Sequence, residues 1–416
     1  MIPRIRAALS AVLLATGLAT GLVAAPRPAA ALDNGVARTP PMGWDNWNAT
    51  GCDVDETLIE QTADAIVANG MRAAGYRYVV IDDCWFDPQR DASGNLRPNA
   101  GRFPGGMRAL GDYLHRRGLK FGIYEVPTEE TCAQRGGAYP GMTGSAGHER
   151  QDARRFASWG VDYLKYDWCS PDGTIDDQVA GFARMRDALA ATGRRIVLSI
   201  NPNSYHAITG PARNWSDVAN MWRTTEDITN RWDTGHANAY PMGIRNIVAV
   251  NAGLSANAAP GGFNDPDMLV VGNGGLTETE QRTHFAMWAV MAAPLIAGND
   301  LRDASDTTLA ILENPRLIAI DQDRLGAQGR QIAADGTRRV LAKPLANGDA
   351  AVALYNEGES PATISTTAAA AGVRGHRFRL VDAWTGRTRT TRGRISATVP
   401  AHGTAVYRVS GHGVTP

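Results

Sequence analysis

Short apolar runs that end in acidic residues recur along this chain of 416 residues. Four of them close on carboxylates, at residues 77–83 (RYVVIDD), 163–167 (YLKYD), 221–227 (MWRTTED) and 263–267 (FNDPD). An apolar run of this length is typical of a buried strand. In a parallel (β/α)₈ barrel the carboxyl ends of all strands meet at one face, where the active site forms. The pattern therefore predicts that these acids converge on one pocket.

Further strand-like runs alternate with helical segments between residues 32 and 325. Four more predicted strands bring the total to eight and cover residues 42–47, 120–125, 195–201 and 294–300. Several of the predicted helices between them end at a glycine, as at Gly118, Gly160 and Gly193. Eight strands alternating with helices favour a closed parallel barrel over an open sheet.

The sequence pattern changes after about residue 325, where no helix of comparable length is predicted. Asn347-Gly348 and similar turn signals separate β-forming stretches at residues 339–345, 350–355, 377–384 and 403–409. We therefore predict a (β/α)₈ TIM barrel over residues 32–325, followed by a C-terminal antiparallel β-sandwich domain over residues 326–416.

The N-terminal segment, residues 1–31, is typical of a secretory signal peptide. Two arginines precede an apolar stretch at residues 7–25, and alanines at 29–31 offer a cleavage site. A membrane anchor is the alternative, but two prolines follow the apolar stretch directly. We expect a secreted, extracellular protein.

The charge balance and the histidine pattern limit the classes of partner. The chain carries 42 basic and 42 acidic residues, and its formal net charge is zero. A nucleic-acid or anionic-membrane partner would favour a basic patch, so we expect neither. The eight histidines lack HxH or HExxH spacing, and no CxxC pair occurs. We expect no metal, no organic cofactor and a small-molecule substrate, while the oligomeric state stays open.

The four cysteines form an even set, which in an exported protein indicates two disulfides. Three connectivities are possible, and the count alone does not choose among them. The cysteines are Cys52, Cys84, Cys132 and Cys169.

The residues at the predicted strand ends fit a sugar pocket better than another kind of site. Such a pocket needs aromatic surfaces, groups that grip hydroxyls, and two acids flanking the scissile bond. Each pair also has a structural interpretation, because Lys165 and Asp167 lie two residues apart on one strand and could form an ion pair. Arg223 and Asp227 could form another. Their shared position at strand ends favours the functional interpretation.

At these residues the chain resembles the family 27 glycoside hydrolases, the α-galactosidase and α-N-acetylgalactosaminidase group, over about residues 38–410. The motifs are TPPMGW at 39–44, IDDCW at 81–85, LKYDWC at 164–169, WR…D at 222–227 and NDPDML at 264–269. The resemblance implies a barrel followed by a β domain. It also implies exo-acting, retaining hydrolysis of terminal α-D-galactosidic bonds by two aspartates.

The same resemblance implies residue roles. Asp167 corresponds to the nucleophile and Asp227 to the acid/base. Sugar-binding positions fall on Trp47, Asp82, Asp83, Tyr124, Lys165, Arg223 and Asp267. The resemblance also pairs Cys52 with Cys84, and Cys132 with Cys169 beside the nucleophile.

Two departures from the family pattern fall on the rim of the predicted pocket, where the sugar is recognised. Glu125 follows Tyr124, where the family usually has a small residue and then Asp. Asn201 stands where the fifth strand usually carries Glu. We expect Glu125 to enter the pocket and narrow the space for a C6 hydroxymethyl group, and Asn201 to grip the 2-hydroxyl more weakly.

These departures keep alternatives to a plain α-galactosidase open. One is a β-L-arabinopyranosidase, whose sugar shares the ring stereochemistry but lacks the hydroxymethyl group. Another is a catalytically idle carbohydrate-binding barrel, which the intact Asp167 and Asp227 disfavour.

Overall fold

The computed structural model describes residues 32–411, so the predicted signal peptide at residues 1–31 lies outside it. All eight predicted barrel strands are present, several of them shorter than predicted. They are β1 (Met42–Asp45), β2 (Tyr78–Ile81), β3 (Lys120–Glu125), β4 (Tyr163–Asp167), β5 (Val197–Asn201), β6 (Met221–Arg223), β7 (Phe263–Asp265) and β8 (Leu295–Ala297).

The eight strands form one parallel sheet in the order β7-β6-β5-β4-β3-β2-β1-β8. β1 pairs in parallel with both β2 and β8, so the first and last strands are neighbours. A parallel bridge between Leu269 and Ala297 joins the segment after β7 to β8. The carboxyl ends of all eight strands therefore surround one axis, as the barrel interpretation requires.

Helices connect the strands and cover the barrel. They are α1 (Trp47–Thr50), α2 (Glu56–Ala68), α3 (Met71–Ala74), α4 (Gly106–Arg116), α5 (Cys132–Arg135), α6 (Glu149–Trp159), α7 (Ile175–Ala190), α8 (Ile244–Asn251), α9 (Glu278–Val290), α10 (Asp306–Leu312) and α11 (Pro315–Asp321). Local chemistry sets their ends: the Asp55 carboxylate accepts the Leu58 N–H and caps α2. Within residues 32–411, no helix has the length and hydropathy needed to cross a bilayer.

The C-terminal domain is an antiparallel β-sandwich, as predicted. Its strands are β9 (Arg330–Asp335), β10 (Arg338–Pro344), β11 (Ala350–Asn356), β12 (Ala362–Thr367), β13 (Phe378–Asp382), β14 (Thr388–Thr391), β15 (Arg394–Val399) and β16 (Thr404–Ser410). A six-stranded sheet in the order β14-β13-β16-β11-β10-β9 packs beside the β12–β15 pair. Apolar side chains such as Leu354, Ile364 and Leu380 fill the space between them.

Polar side chains of the C-terminal domain, among them Lys343 and His402, contact the barrel. The buried Lys343 ammonium on β10 donates to the Ala289 carbonyl at 3.5 Å and to the Asp321 carbonyl at 3.3 Å. These carbonyls lie at the C-terminal ends of α9 and α11, where the helix dipole favours a cation. His402 stacks on Trp232 with ring centroids 4.5 Å apart, and its Nδ1 lies 2.7 Å from Glu280 Oε1.

The Lys343 contact should contribute to stability. Lys343→Met keeps an apolar side chain in the buried space but removes the donor to the Asp321 carbonyl and leaves the buried Asp321 carboxylate without its neighbouring cation. We expect the free energy of unfolding to fall by about 2–4 kcal/mol in urea titrations. Arg330→Met, on the exposed β9, is the control and should change stability by less than about 0.5 kcal/mol. Equal stability of Lys343→Met and the unmodified protein would contradict this role.

Candidate active site

The carboxyl ends of the barrel strands surround a cavity of about 460 Å³. The residues predicted as catalytic or sugar-binding line it, except Glu125 and Asn201. Those that do so are Trp47, Asp82, Asp83, Tyr124, Lys165, Asp167, Arg223, Asp227 and Asp267. The structure therefore brings together residues that are far apart in the sequence, as the strand-end pattern predicts.

Asp167, at the end of β4, is almost completely buried and has an unpaired carboxylate oxygen. It is 6% exposed, and its Oδ1 makes no hydrogen bond to the described part of the chain. Burial raises its pKa from the ordinary value of 3.8 to about 7, against the opposing effect of Lys165 and Arg223. A buried carboxylate with a free lone pair suits attack on an electrophilic carbon.

Two buried cations hold the surrounding carboxylates in place. Lys165 Nζ lies 2.5 Å from Asp82 Oδ2. Burial alone would lower the pKa of Lys165, but the carboxylates of Asp82 and Asp167 raise it well above its usual range. The Arg223 guanidinium lies 2.9 Å from Asp227 Oδ1 and 2.9 Å from Asp267 Oδ2. Lys165 therefore offsets the charges of Asp82 and Asp167, and Arg223 offsets those of Asp227 and Asp267.

Asp227 differs from Asp167 in its access to water. It follows β6, and 51% of its side chain is exposed at the mouth of the cavity. The Arg223 guanidinium donates to one of its oxygens. Two carboxyl groups in contrasting environments within one cavity are the arrangement that acid/base and nucleophile roles require.

A disulfide forms part of the cavity wall beside Asp167. The structure confirms both pairs that the resemblance implied, Cys132–Cys169 and Cys52–Cys84. The Tyr124 hydroxyl lies 3.3 Å from Cys169 Sγ. Within residues 32–411, potential metal ligands on Cys132, Asp167 and Cys169 lie within 4.8 Å of one another. The two sulfurs are bonded to each other, however, and therefore offer no thiolate to a metal.

The backbone is strained where the strands reach the cavity. Cys84, Cys169 and Asp267 adopt positive φ angles of 73°, 47° and 80°. Such conformations are unfavourable for residues other than glycine and occur often at functional sites. Cys84 and Cys169 come shortly after the strand-end acids Asp83 and Asp167, and Asp267 is itself an acid of this kind. Asp83 accepts the Cys84 N–H at 2.7 Å and the Ala133 N–H at 2.8 Å.

The expectation that Glu125 enters the pocket is wrong. Side chains alternate along β3, and because Tyr124 faces the cavity, Glu125 points to the opposite side. Glu125 is fully buried, and its Oε2 accepts the N–H of the neighbouring Val126 at 2.6 Å. Burial raises its pKa well above the usual range, and Asp152 on α6 raises it further. Glu125 therefore belongs to the layer between the strands and helices.

Asn201 also stays out of the cavity. It lines a recess of about 20 Å³ beneath the cavity floor. Its Oδ1 accepts the Asn203 N–H at 3.0 Å. Because Asn201 does not line the cavity, the contact that we expected it to make with the 2-hydroxyl of the sugar is not formed there.

Sequence reasoning missed several acids and aromatic residues of the site. Asp45 ends β1 and Asp265 ends β7, and both line the recess beneath the cavity. Burial, and then the Asp82 carboxylate, raises the pKa of Asp45 well above its usual range. The rule that strands end in acids could have found both residues. Glu226, Tyr205 and Tyr240 at the cavity mouth lie in loops, where that rule gives no signal.

Comparison with known proteins identifies the family. Residues 39–323 match the family model described as Alpha galactosidase A, and residues 335–409 match the Alpha galactosidase C-terminal beta sandwich domain. The alpha-galactosidase of Cyamopsis tetragonoloba is 41% identical over 379 residues, which cover 90% of this chain and 87% of that protein. Alpha-galactosidase A of Cellvibrio japonicus is 42% identical over 96% of this chain and 98% of its own length.

Solved structures give the same result. The crystal structure of alpha-galactosidase I from Mortierella vinacea aligns with a TM-score of 0.84 at 34% identity. The alignment covers 91% of this chain and 99% of that chain. Similarity of both sequence and fold extends over the barrel and the β-sandwich. The chain is therefore a glycoside hydrolase of the α-galactosidase family.

Proposed function

We propose that this protein is a secreted, exo-acting α-galactosidase that retains the anomeric configuration of its substrate. One observation carries the mechanism: a buried Asp167 and a half-exposed Asp227 line the same cavity. A retaining glycosidase needs a nucleophile beneath the sugar and an acid/base that reaches both the leaving group and water. The two environments match these needs.

The reaction proceeds in two displacements. An Asp167 oxygen attacks the anomeric carbon while Asp227 donates a proton to the departing glycosidic oxygen, so the first bond forms as the second breaks. Asp227, now a carboxylate, then takes a proton from water. The resulting oxygen attacks the anomeric carbon and releases Asp167, which leaves the sugar with its original configuration.

The shape of the cavity supports action on terminal sugars. Its floor is the packed barrel interior, where Tyr163 and Met221 are buried. A sugar can therefore enter only from the mouth and lies with its far end against the charged groups. Lys165, Asp82 and Asp267 offer one ammonium and two carboxyl groups as hydrogen-bonding partners for its hydroxyls.

The glycone that these observations favour is α-D-galactose. Two relatives that are 41% and 42% identical over 90% and 96% of the chain are named as alpha-galactosidases. The argument for β-L-arabinopyranose depended on Glu125 narrowing the cavity, and Glu125 lies outside it. The paired catalytic carboxylates also leave no support for an idle carbohydrate-binding barrel.

Glycine substitutions should separate the two carboxylate roles. Asp167→Gly removes the nucleophile, and added azide should restore turnover by forming the β-galactosyl azide. Asp227→Gly should slow hydrolysis of unactivated galactosides by about 10²–10⁴-fold and spare nitrophenyl galactosides, whose leaving groups need little protonation. Product analysis by NMR checks both. Equal losses on all substrates, with no azide product from Asp167→Gly, would overturn the assignment.

Secretion has its own test. The basic and apolar N-terminal segment, together with two disulfides, supports export to an oxidising compartment. Expressed with its leader in a bacterial secretion host, the protein should appear in the medium beginning at Leu32. Ala31→Phe, a large residue at the cleavage position, is the control and should block processing. An intact N-terminus inside the cell would contradict the proposal.

A further inference from the structure

Positive charge is concentrated at one end of the β-sandwich, although the net charge of the whole chain is zero. Residues 374–394 contain seven arginines and only one acid, Asp382. All seven arginines are exposed, and they lie on or beside β13, β14 and the start of β15. Because β14 is an edge strand of the six-stranded sheet, this basic surface faces solvent at the rim of the domain.

These arginines have no acidic partner within residues 32–411. The arginine ion pairs of the C-terminal domain are made by other residues, Arg338, Arg339 and Arg408. Among the seven, only Arg389 has its guanidinium engaged, over the ring of Tyr407 at 4.9 Å and on a backbone carbonyl. An exposed guanidinium without a partner is available to an external anion, and its planar fork matches a carboxylate.

A cavity of about 390 Å³ lies beside this basic surface, between α11 of the barrel and the β-sandwich. Three arginines line it, Arg316 on α11, Arg379 on β13 and Arg408 on β16, against one acid, Asp349. Among the described residues, none lines both this cavity and the catalytic one. Its volume lies within the range of roughly 300–1,000 Å³ that is common for small-molecule sites.

Two of the three guanidinium groups are held in place by the protein. Arg316 donates from Nε and Nη2 to the carbonyls of residues 383–384, at 3.0 and 2.9 Å. Arg408 Nε donates to Asp349 Oδ2 at 2.8 Å. The exposed Arg379 guanidinium makes no hydrogen bond within residues 32–411 and is free for a ligand. A partly fixed set of donors loses less entropy when it binds.

The rest of the lining fits a sugar ring better than a bare ion or a nucleobase. Ile320 and Ala383 are buried and apolar, and Ser410 offers a hydroxyl. Thr390 pairs with Arg379 across β13 and β14, so its hydroxyl lies on the same face of the sheet. No aromatic side chain of residues 32–411 lines the cavity, which therefore lacks a stacking surface for bases.

We infer that this arginine-lined cavity, together with the basic surface beside it, binds an acidic polysaccharide whose sugar rings carry carboxylates. One ring occupies the cavity with its carboxylate on Arg379, and the polymer continues over the exposed arginines beside β14. Binding there holds the enzyme on a polymer whose galactosyl groups it removes. This consequence rests on the proposed function, whereas the binding itself does not.

Affinity electrophoresis in gels that contain polygalacturonate tests the inference. Every ring of this polymer carries a carboxylate, and its fully methyl-esterified form keeps the rings without the charges. We expect the unmodified protein to bind the acidic polymer at least about 10-fold more tightly than the ester, because charged hydrogen bonds are the stronger ones. Duplex DNA is the third ligand, and we expect it to bind more weakly than polygalacturonate.

Two variants locate the binding surface. Arg379→Gln removes one unpaired charge from the cavity and should weaken binding to polygalacturonate about 10-fold. Arg330→Gln removes the same charge from β9, at the opposite edge of the sheet, and should change the affinity less than about 2-fold. Both variants should hydrolyse nitrophenyl α-galactoside as fast as the unmodified protein, because neither residue lines the catalytic cavity.

Three results would overturn the inference. The first is equal binding of the acidic polymer and its ester, and the second is binding of duplex DNA as tight as that of polygalacturonate. The third is the same affinity in Arg379→Gln as in Arg330→Gln. A protein that binds polygalacturonate as expected but hydrolyses no galactoside would instead refute the proposed function, so the two failures are distinguishable.

Discussion

Two buried cations, Lys165 and Arg223, make the active site possible. Without them the barrel would bring several carboxylates into one water-poor space, where each charge repels its neighbours and loses hydration. Lys165 lies against Asp82, and Arg223 contacts both Asp227 and Asp267. Even so, burial dominates at Asp167, whose pKa is raised to about 7. The nucleophile Asp167 therefore loses its charge when the pH falls below about 7.

Such a site needs a rigid surround, because a small movement would let water enter and separate the pairs. The Cys132–Cys169 disulfide fixes the wall beside Asp167, and strained backbone at Cys169 and Asp267 sets their orientation. The C-terminal domain adds support from outside. Its Lys343 caps two barrel helices, and its His402 stacks on Trp232, which follows the Asp227 segment in the chain.

Much of this arrangement could be predicted from the sequence, because strand-end acids obey a simple rule. The eight strands and the meeting of Asp82, Asp167, Asp227 and Asp267 follow from it. The rule fails at Glu125 because it does not say which face of the sheet the last residue of a strand occupies. Side chains alternate along β3, and since Tyr124 faces the cavity, Glu125 faces away from it. The exposed Tyr205 and Tyr240 could not be predicted either, since loop conformations depend on tertiary hydrogen bonds, such as those that hold the Tyr205 loop through the side chain of Asn203.

The stability of the Asp167→Asn variant tests most directly the claim that the buried charge of Asp167 destabilises the folded protein. The pKa of Asp167 is about 7 in the folded protein, above the ordinary value of 3.8, so folding favours its protonated form. Its ionisation therefore destabilises the fold progressively as pH rises from about 4 to about 7, and fully above that. Asp167→Asn should melt higher than the unmodified protein at pH 8, with a smaller difference at pH 5. Asp335→Asn, whose side chain is 77% exposed, is the control. A melting difference that is absent, reversed or independent of pH would contradict the account.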